Sequence, residues 1–227
     1  MKLFWQFFLL NIKPFGRTLL KRFFIHLLVA TVLFFVMMLL MDIDINSFTS
    51  NIFVLCGFIP FVFSEYALRM ESTFINTLFS WGCKRIYSYF LCKYLFAILI
   101  SLVYTLLLYL ASPIGIERAL GYSFLSIGVM LCVGILTMPY NKNKLDLFDN
   151  AALKGNTGSK KITFIRIIFL AIVHFILIPM LDGCNENLYL IYFVIGATLT
   201  LLTPLWVKIA VNKIIKNKYN IIDSLTR

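Results

Sequence analysis

The sequence predicts an all-α, polytopic integral membrane protein with six transmembrane helices, both termini in the cytoplasm and an N-terminal interfacial amphipathic helix. Three observations carry this prediction. Apolar residues make up 61% of the 227-residue chain and its mean hydropathy is +0.90, above the share of about 45–50% that is typical of soluble domains. The apolar residues fall in six runs, and the basic residues lie on one side of those runs. We therefore expect a single transmembrane domain over residues 1–227.

Each apolar run has about the length of the roughly 20-residue helix that crosses a bilayer. The first run is longer than the core of a signal peptide and lacks a small-residue cleavage pattern, so we expect it to be retained as an anchor. Four prolines would either kink a run or mark its end, or be ordinary prolines that the helices tolerate: Pro60, Pro139, Pro179 and Pro204. The predicted spans cover residues 23–41, 52–68, 94–111, 122–138, 164–181 and 188–207.

The segments outside the spans have distinct patterns. Residues 1–22 alternate aromatic and aliphatic residues with lysines and contain Pro14 and Gly16, which predicts a cytoplasmic helix that lies on the membrane and is broken near these two residues. Residues 139–161 are polar and contain glycines, which is typical of a flexible connection. Residues 208–227 are expected to form a cytoplasmic tail.

We interpret the formal charge of +11 as a sign of membrane topology and not of nucleic-acid binding. With the N-terminus inside, Arg118 is the only basic residue on the outer side, and lysine and arginine are retained on the cytoplasmic side of membrane proteins. The outer turns are instead acidic and contain Asp42, Asp44, Glu117, Asp182 and Glu186. We expect membrane lipid as a partner and no nucleic acid. We also expect a multi-pass location in a bacterial plasma (inner) membrane, since the Lys- and Asn-rich, Ala-poor composition suggests an AT-rich bacterial genome.

Motifs for catalysis and for metal binding are absent from the sequence. The stretch Gly155 to Lys161 has glycines and lysines at the wrong spacing for a phosphate-binding loop, and no HExxH motif occurs. The five cysteines are scattered, without a CxxC pair. We therefore expect neither an enzyme nor a chain that binds its own metal or cofactor.

Three polar residues lie within or beside the predicted spans. Glu65 and Arg69 are four residues apart in the second span, a spacing that permits a local ion pair and leaves a proton or substrate site as the alternative. His174 falls near the middle of the fifth span, where it would either bond a neighbouring helix or line a pathway.

One inner segment has the pattern of a short amphipathic helix and a turn. Apolar residues follow helical spacing, and Gly82 then precedes two basic residues. Such a segment either docks a cytosolic partner or lies on the membrane surface. Its candidate docking residues are Glu71, Phe74, Ile75, Leu78, Phe79, Trp81, Lys84 and Arg85.

The stretch from Glu71 to Lys93, ESTFINTLFSWGCKRIYSYFLCK, resembles the inner segment of permease subunits of ABC-type exporters. Trp81-Gly82-Cys83 stands where that family commonly has a proline-containing turn. The resemblance implies that the chain is the membrane-spanning permease of an ATP-driven exporter and pairs with a second copy as a homo- or heterodimer. It also implies that ATP and Mg²⁺ are bound by a separate cytosolic ABC ATPase, which docks on the inner helix and turn.

Two other classes of function remain open at this point. A membrane-embedded enzyme would need convergent polar groups inside the helix bundle, for which Glu65 and His174 are the candidates. A non-transporting membrane scaffold or immunity protein would use the same inner surfaces to bind a partner.

Overall fold

The computed structural model describes residues 53–64 except 54 and 62, residues 75–80, 82–111, 115–140 and 188–226, and every structural statement below concerns these residues. They form seven α-helices and one 3-10 turn: α1 (residues 53–64), α2 (Ile75–Ser80), α3 (Cys83–Ala111), α4 (Ile116–Thr137), the turn Met138–Tyr140, α5 (Leu188–Leu201), α6 (Thr203–Lys216) and α7 (Lys218–Thr226).

Two of the described helices are long and apolar enough to cross a membrane, and a third span is added if α5 and α6 count as one bent helix. These helices indicate a membrane protein that is all-helical in its described part. The predicted spans 23–41 and 164–181, the interfacial segment 1–22 and the loop 141–161 lie outside the described residues. Six spans and the orientation of the chain in the membrane stay predictions.

The third predicted span is the second part of a longer helix. Helix α3 begins at Cys83, well before the predicted start at residue 94, and its 29 residues correspond to a length of about 43 Å. The polar side chains in its apolar part use the helix backbone as their partner. Ser101 Oγ donates to the carbonyl of Ala97 at 2.9 Å, and Thr105 Oγ1 donates to the carbonyl of Ser101 at 2.9 Å. Neither hydroxyl therefore needs a partner in lipid.

Helix α4 packs between α1 and α5 through small residues. A Cβ atom on Gly121 would lie 2.7 Å from the carbonyl oxygen of Tyr189, and one on Gly57 would lie 2.6 Å from the carbonyl oxygen of Ser126. Small residues allow such close approach where helices cannot gain from a hydrophobic effect in lipid. On the face toward α1, Ser123 Oγ donates to Cys56 Sγ at 3.6 Å.

The order of these contacts gives the relative direction of the three helices. Gly121 contacts Tyr189 and Gly128 contacts Gly196, so residue numbers rise together along α4 and α5. Gly57 contacts Ser126 and Gly134 lies against Ser64, so α1 is parallel to α4 as well. This is the relative direction that alternate spans of a membrane protein have.

A proline and two side-chain hydrogen bonds account for the bend of 44° between α5 and α6. Pro204 lies in the first turn of α6 and has no N–H to donate to the carbonyl of Thr200. Thr203 Oγ1 donates to that carbonyl instead, at 2.6 Å. Trp206 Nε1 donates to the carbonyl of Leu199 at 3.2 Å, so these two carbonyls beside the break each accept a side-chain hydrogen bond.

The segment expected to be a cytoplasmic tail is helical through Thr226 and is partly packed into the core. Val211 and Ile214 of α6 and Ile221 of α7 are buried. Helix α6 packs against both α3 and α4, and α7 contacts α2. The C-terminal helices therefore tie the short helix α2 to the long helices.

Candidate functional site at the basic end of the helices

The predicted helix and turn are present, and the structure divides the candidate docking residues by exposure. Helix α2 begins at Ile75, Leu78 is fully buried, and Phe79 is half-buried against the core. Lys84 and Arg85 are exposed in the first turn of α3. Since Leu78 packs within the chain, it does not contribute to an exposed docking surface. The docking role of the segment stays a prediction.

Six of the predicted site residues lie outside the described residues: Glu65, Arg69, Glu71, Phe74, Trp81 and His174.

The turn at Gly82 starts α3. The carbonyl of Gly82 accepts the backbone N–H of Arg85 at 2.8 Å and that of Ile86 at 3.3 Å. A Cβ atom on Gly82 would meet nothing within 4 Å, so this side of the turn is open. The first turn of α3 contains no acidic residue and carries Lys84 and Arg85.

These two charges lie at the wrong end of α3 for helix stability. The N-terminus of a helix carries a partial positive charge, and a basic residue there costs on the order of 0.3–1 kcal/mol at an exposed position. The position of Lys84 and Arg85 is therefore not explained by the stability of the helix. Retention of basic residues on one side of a membrane is a general reason for such a position.

A groove of about 490 Å³ lies between the start of α3 and helix α6. Cys83 Sγ lies 4.0 Å from Asn212 Oδ1 and joins the two helices across it. Two lysines contribute to the walls, one from each helix. We call this the basic groove; it is lined by Cys83, Lys84, Tyr87, Ser88, Lys208, Val211 and Asn212.

Other lysines at this end of the molecule contact aromatic rings. Lys213 Nζ donates to the hydroxyl of Tyr140 and lies 4.5 Å from the centroid of its ring. This contact joins α6 to the 3-10 turn that ends α4. Lys93 is only 4% exposed and its Nζ lies 5.4 Å from the ring centroid of Tyr89. The basic end is thus a surface built from α3, α4 and α6 together.

The opposite end of the helices carries an aromatic cluster. Arg118 lies 5.2 Å from the ring centroid of Tyr189, and Tyr122 packs edge-on against the same ring with centroids 5.5 Å apart. Tyr192 lies 5.9 Å from Tyr122. Tyrosines with one polar tip and an apolar ring are typical of a membrane–water interface.

Within the described part of the chain, histidine, cysteine, aspartate and glutamate do not come together in a group of three that could hold a metal ion. Cys56 and Cys92 are fully buried, whereas Cys83 is exposed at the basic groove.

The two basic residues of α3 were predicted from the sequence, whereas the groove was not. Its second wall comes from Lys208 and Asn212, which lie in a segment that the sequence predicts as a tail. The run of lysines in that segment was the available signal. Comparison of the chain with protein-family models, with curated proteins and with solved structures gives no match.

Proposed function

We propose that this chain is the membrane-spanning permease subunit of an ATP-driven exporter of the ABC type, with six spans and both termini inside a bacterial plasma membrane. Two such subunits would form the translocation path, and a separate cytosolic ATPase would supply the energy. The observation that supports this proposal is the helix–turn–helix element formed by α2, Gly82 and α3, which carries exposed basic residues where the long helix begins.

The length of α3 suits a role in transmitting force. A helix of about 43 Å exceeds the roughly 30 Å of the hydrocarbon core and matches the 40–45 Å of a bilayer with its headgroup layers. Its charged residues lie before residue 94 and its last 18 residues carry no charge. The start of α3 therefore extends beyond the hydrocarbon core, where a soluble protein can reach it.

The packing of α2 suits the same role. Leu78 fixes the short helix in the core, α2 contacts α7, and α6 packs against α3 and α4. A partner that moves α2 and the start of α3 would move a connected group of helices rather than a free loop. Closure of an ATPase dimer could in this way change the separation of the spans.

The exposed face available to the partner is polar and basic in its described part. It includes Thr77 and Ser80 on α2 and Arg85 on α3. An acidic groove on an ATPase would complement Arg85, and charge complementarity favours specific encounter. Because Leu78 is buried, Leu78→Asp would disrupt the fold and is unsuitable as a test of docking.

The test is recovery of the ATPase with the tagged chain from mild detergent. We expect a soluble ATPase in equal amount with the wild-type chain. Recovery should be at least tenfold lower with Thr77→Asp plus Arg85→Glu, because like charges facing each other at an interface cost several kcal/mol and about 1.4 kcal/mol already lowers binding tenfold. Lys216→Glu is the matched control, since Lys216 is an exposed lysine at the end of α6. Recovery of the wild-type chain without any ATPase, or equal recovery by all three chains, would overturn the proposal.

A further inference from the structure

The basic groove lies next to the outer edge of the lipid headgroup layer. The apolar, uncharged part of α3 runs from Tyr94 to Ala111, and the groove residues Lys84, Tyr87 and Ser88 lie on the preceding turns. At 1.5 Å per residue, Tyr87 lies about 10 Å before the start of this apolar part. The headgroup layer on each side of the hydrocarbon core is about 5–8 Å thick, so the groove lies next to the outer edge of this layer.

The lining of the groove suits a phosphate group. Lys84 and Lys208 are both exposed and line the groove from α3 and α6, so each wall carries one positive charge. Tyr87 adds a phenolic hydroxyl. The Cys83 thiol is directed at Asn212 Oδ1, which leaves the amide nitrogen of Asn212 as a further donor.

Apolar side chains continue from the groove toward the membrane interior on both walls. Leu205 lies one turn before Lys208 on the same face of α6 and is 48% exposed. On α3, Leu91 follows Tyr87 by one turn, and Leu95, one turn further, is 38% exposed. A ligand with a charged head and an apolar chain would match both parts, whereas a free phosphate or nucleotide would use only the groove.

From this charge and this apolar continuation, we propose that the basic groove binds the phosphate of an anionic phospholipid, with an acyl chain along Leu205 and Leu95. The proposal does not depend on the proposed transport function. It requires neither the ATPase nor Thr77 and Arg85, which are not part of the groove lining.

Cys83 provides a direct probe of occupancy, because it is exposed and lines the groove. The full chain in a zwitterionic detergent is treated with N-ethylmaleimide, and the labelling rate of Cys83 is read by peptide mass spectrometry. We expect dioctanoyl phosphatidylglycerol to slow the labelling of Cys83. Dioctanoyl phosphatidylcholine, whose headgroup is neutral overall, and glycerol phosphate, which lacks the acyl chains, should not slow it at the same concentrations.

Variants of the lysines test whether the groove itself is the site. Each basic residue near a membrane surface contributes about fivefold to anionic lipid binding. Lys84→Gln and Lys208→Gln should therefore each raise the half-protecting concentration of phosphatidylglycerol by about fivefold, and the double variant by about 25-fold. The matched control Lys216→Gln, on the same helix as Lys208 but outside the groove, should leave it unchanged.

Three outcomes would overturn the proposal. Equal protection by phosphatidylcholine would show that the headgroup charge is not recognised. Equal protection by glycerol phosphate would assign the groove to a soluble phosphate compound. Protection that is unchanged in the double lysine variant would place the lipid elsewhere on the chain. None of these results bears on recovery of an ATPase, so failure of this proposal and failure of the proposed function can be told apart.

Discussion

The packing of α4 against α5 predicts that Gly196→Ala destabilises the protein although alanine is the better helix former. Gly196 is buried, and a Cβ atom added to it would overlap the backbone carbonyl group of Phe124 and the backbone nitrogen of Leu125. These are backbone atoms of α4, which cannot rotate away as the end of a side chain can. The methyl group would therefore force the two helices apart.

The expected size of the effect combines two opposing contributions. Overpacking a well-packed contact costs about 1–3 kcal/mol, and a clash with backbone belongs at the upper end of this range. Replacing glycine by alanine in a helix returns up to about 1 kcal/mol. The net loss of about 2 kcal/mol corresponds to a Tm lower by about 4–8 °C in a chain of this size.

The measurement is thermal unfolding in detergent, followed by the loss of monodisperse protein on size-exclusion chromatography. Gly115→Ala is the matched control, because a Cβ atom at Gly115 meets nothing within 4 Å and the residue has φ −62° and ψ 141°, which alanine adopts. We expect the control to cost less than about 1 kcal/mol through the weaker N-cap preference of alanine. A Tm for Gly196→Ala equal to or above that of the wild type would refute the close packing of α4 on α5.

Three other features of the packing can be tested by substitution or by thiol labelling. Leu78→Ala should lower stability by about 2–5 kcal/mol, measured by the same Tm assay, because Leu78 is fully buried; an unchanged Tm would show that α2 is not packed in the core. Cys83 should react with maleimide much faster than the buried Cys56 in native protein, and equal rates would contradict the exposure of the start of α3. Gly134→Ala should destabilise the protein less in a Ser64→Gly background, because the new Cβ atom would lie 2.6 Å from Ser64 Cβ. A double-mutant cycle should give a coupling of about 0.5–3 kcal/mol between the two positions. Purely additive effects would contradict this contact.

The apolar runs were sufficient to predict the helical class and the position of three described helices. The run 94–111 lies within α3, the run 122–138 covers most of α4 and ends at the first residue of the 3-10 turn, and the run 188–207 covers α5 and the start of α6. The true starts at Cys83 and Ile116 were missed because hydropathy locates apolar stretches. Polar residues such as Lys84 and Glu117 are compatible with a helix and do not mark its end.

The short helix α2 and the turn at Gly82 were predicted from the spacing of apolar residues. What the apolar side of α2 packs against was not predicted correctly. Leu78 and Phe79 were expected to face a partner protein or the membrane surface, whereas Leu78 is buried within the chain and Phe79 is packed against the core. An amphipathic pattern shows that one face of a helix is covered. It does not show whether the cover is another protein, lipid or the same chain.

The glycine contacts and the basic groove depend on residues far apart in sequence. Gly128 and Gly196 each look like an isolated glycine within an apolar helix, and only the parallel packing of α4 and α5 brings them together. Cys83 and Asn212 are separated by 129 positions. No periodicity links such pairs, so tertiary structure was needed to find them.

Photocrosslinking from the exposed face of α2 tests whether a soluble ATPase docks on this helix. A photoreactive amino acid in place of Thr77, which is exposed on α2, is introduced into the full chain in cells, and the crosslinked product is identified by mass spectrometry. We expect a product with a soluble ATP-binding protein, and no such product when the same group replaces the exposed residue Leu201 on α5. Products with lipid alone at both positions would contradict the docking of an ATPase on this element.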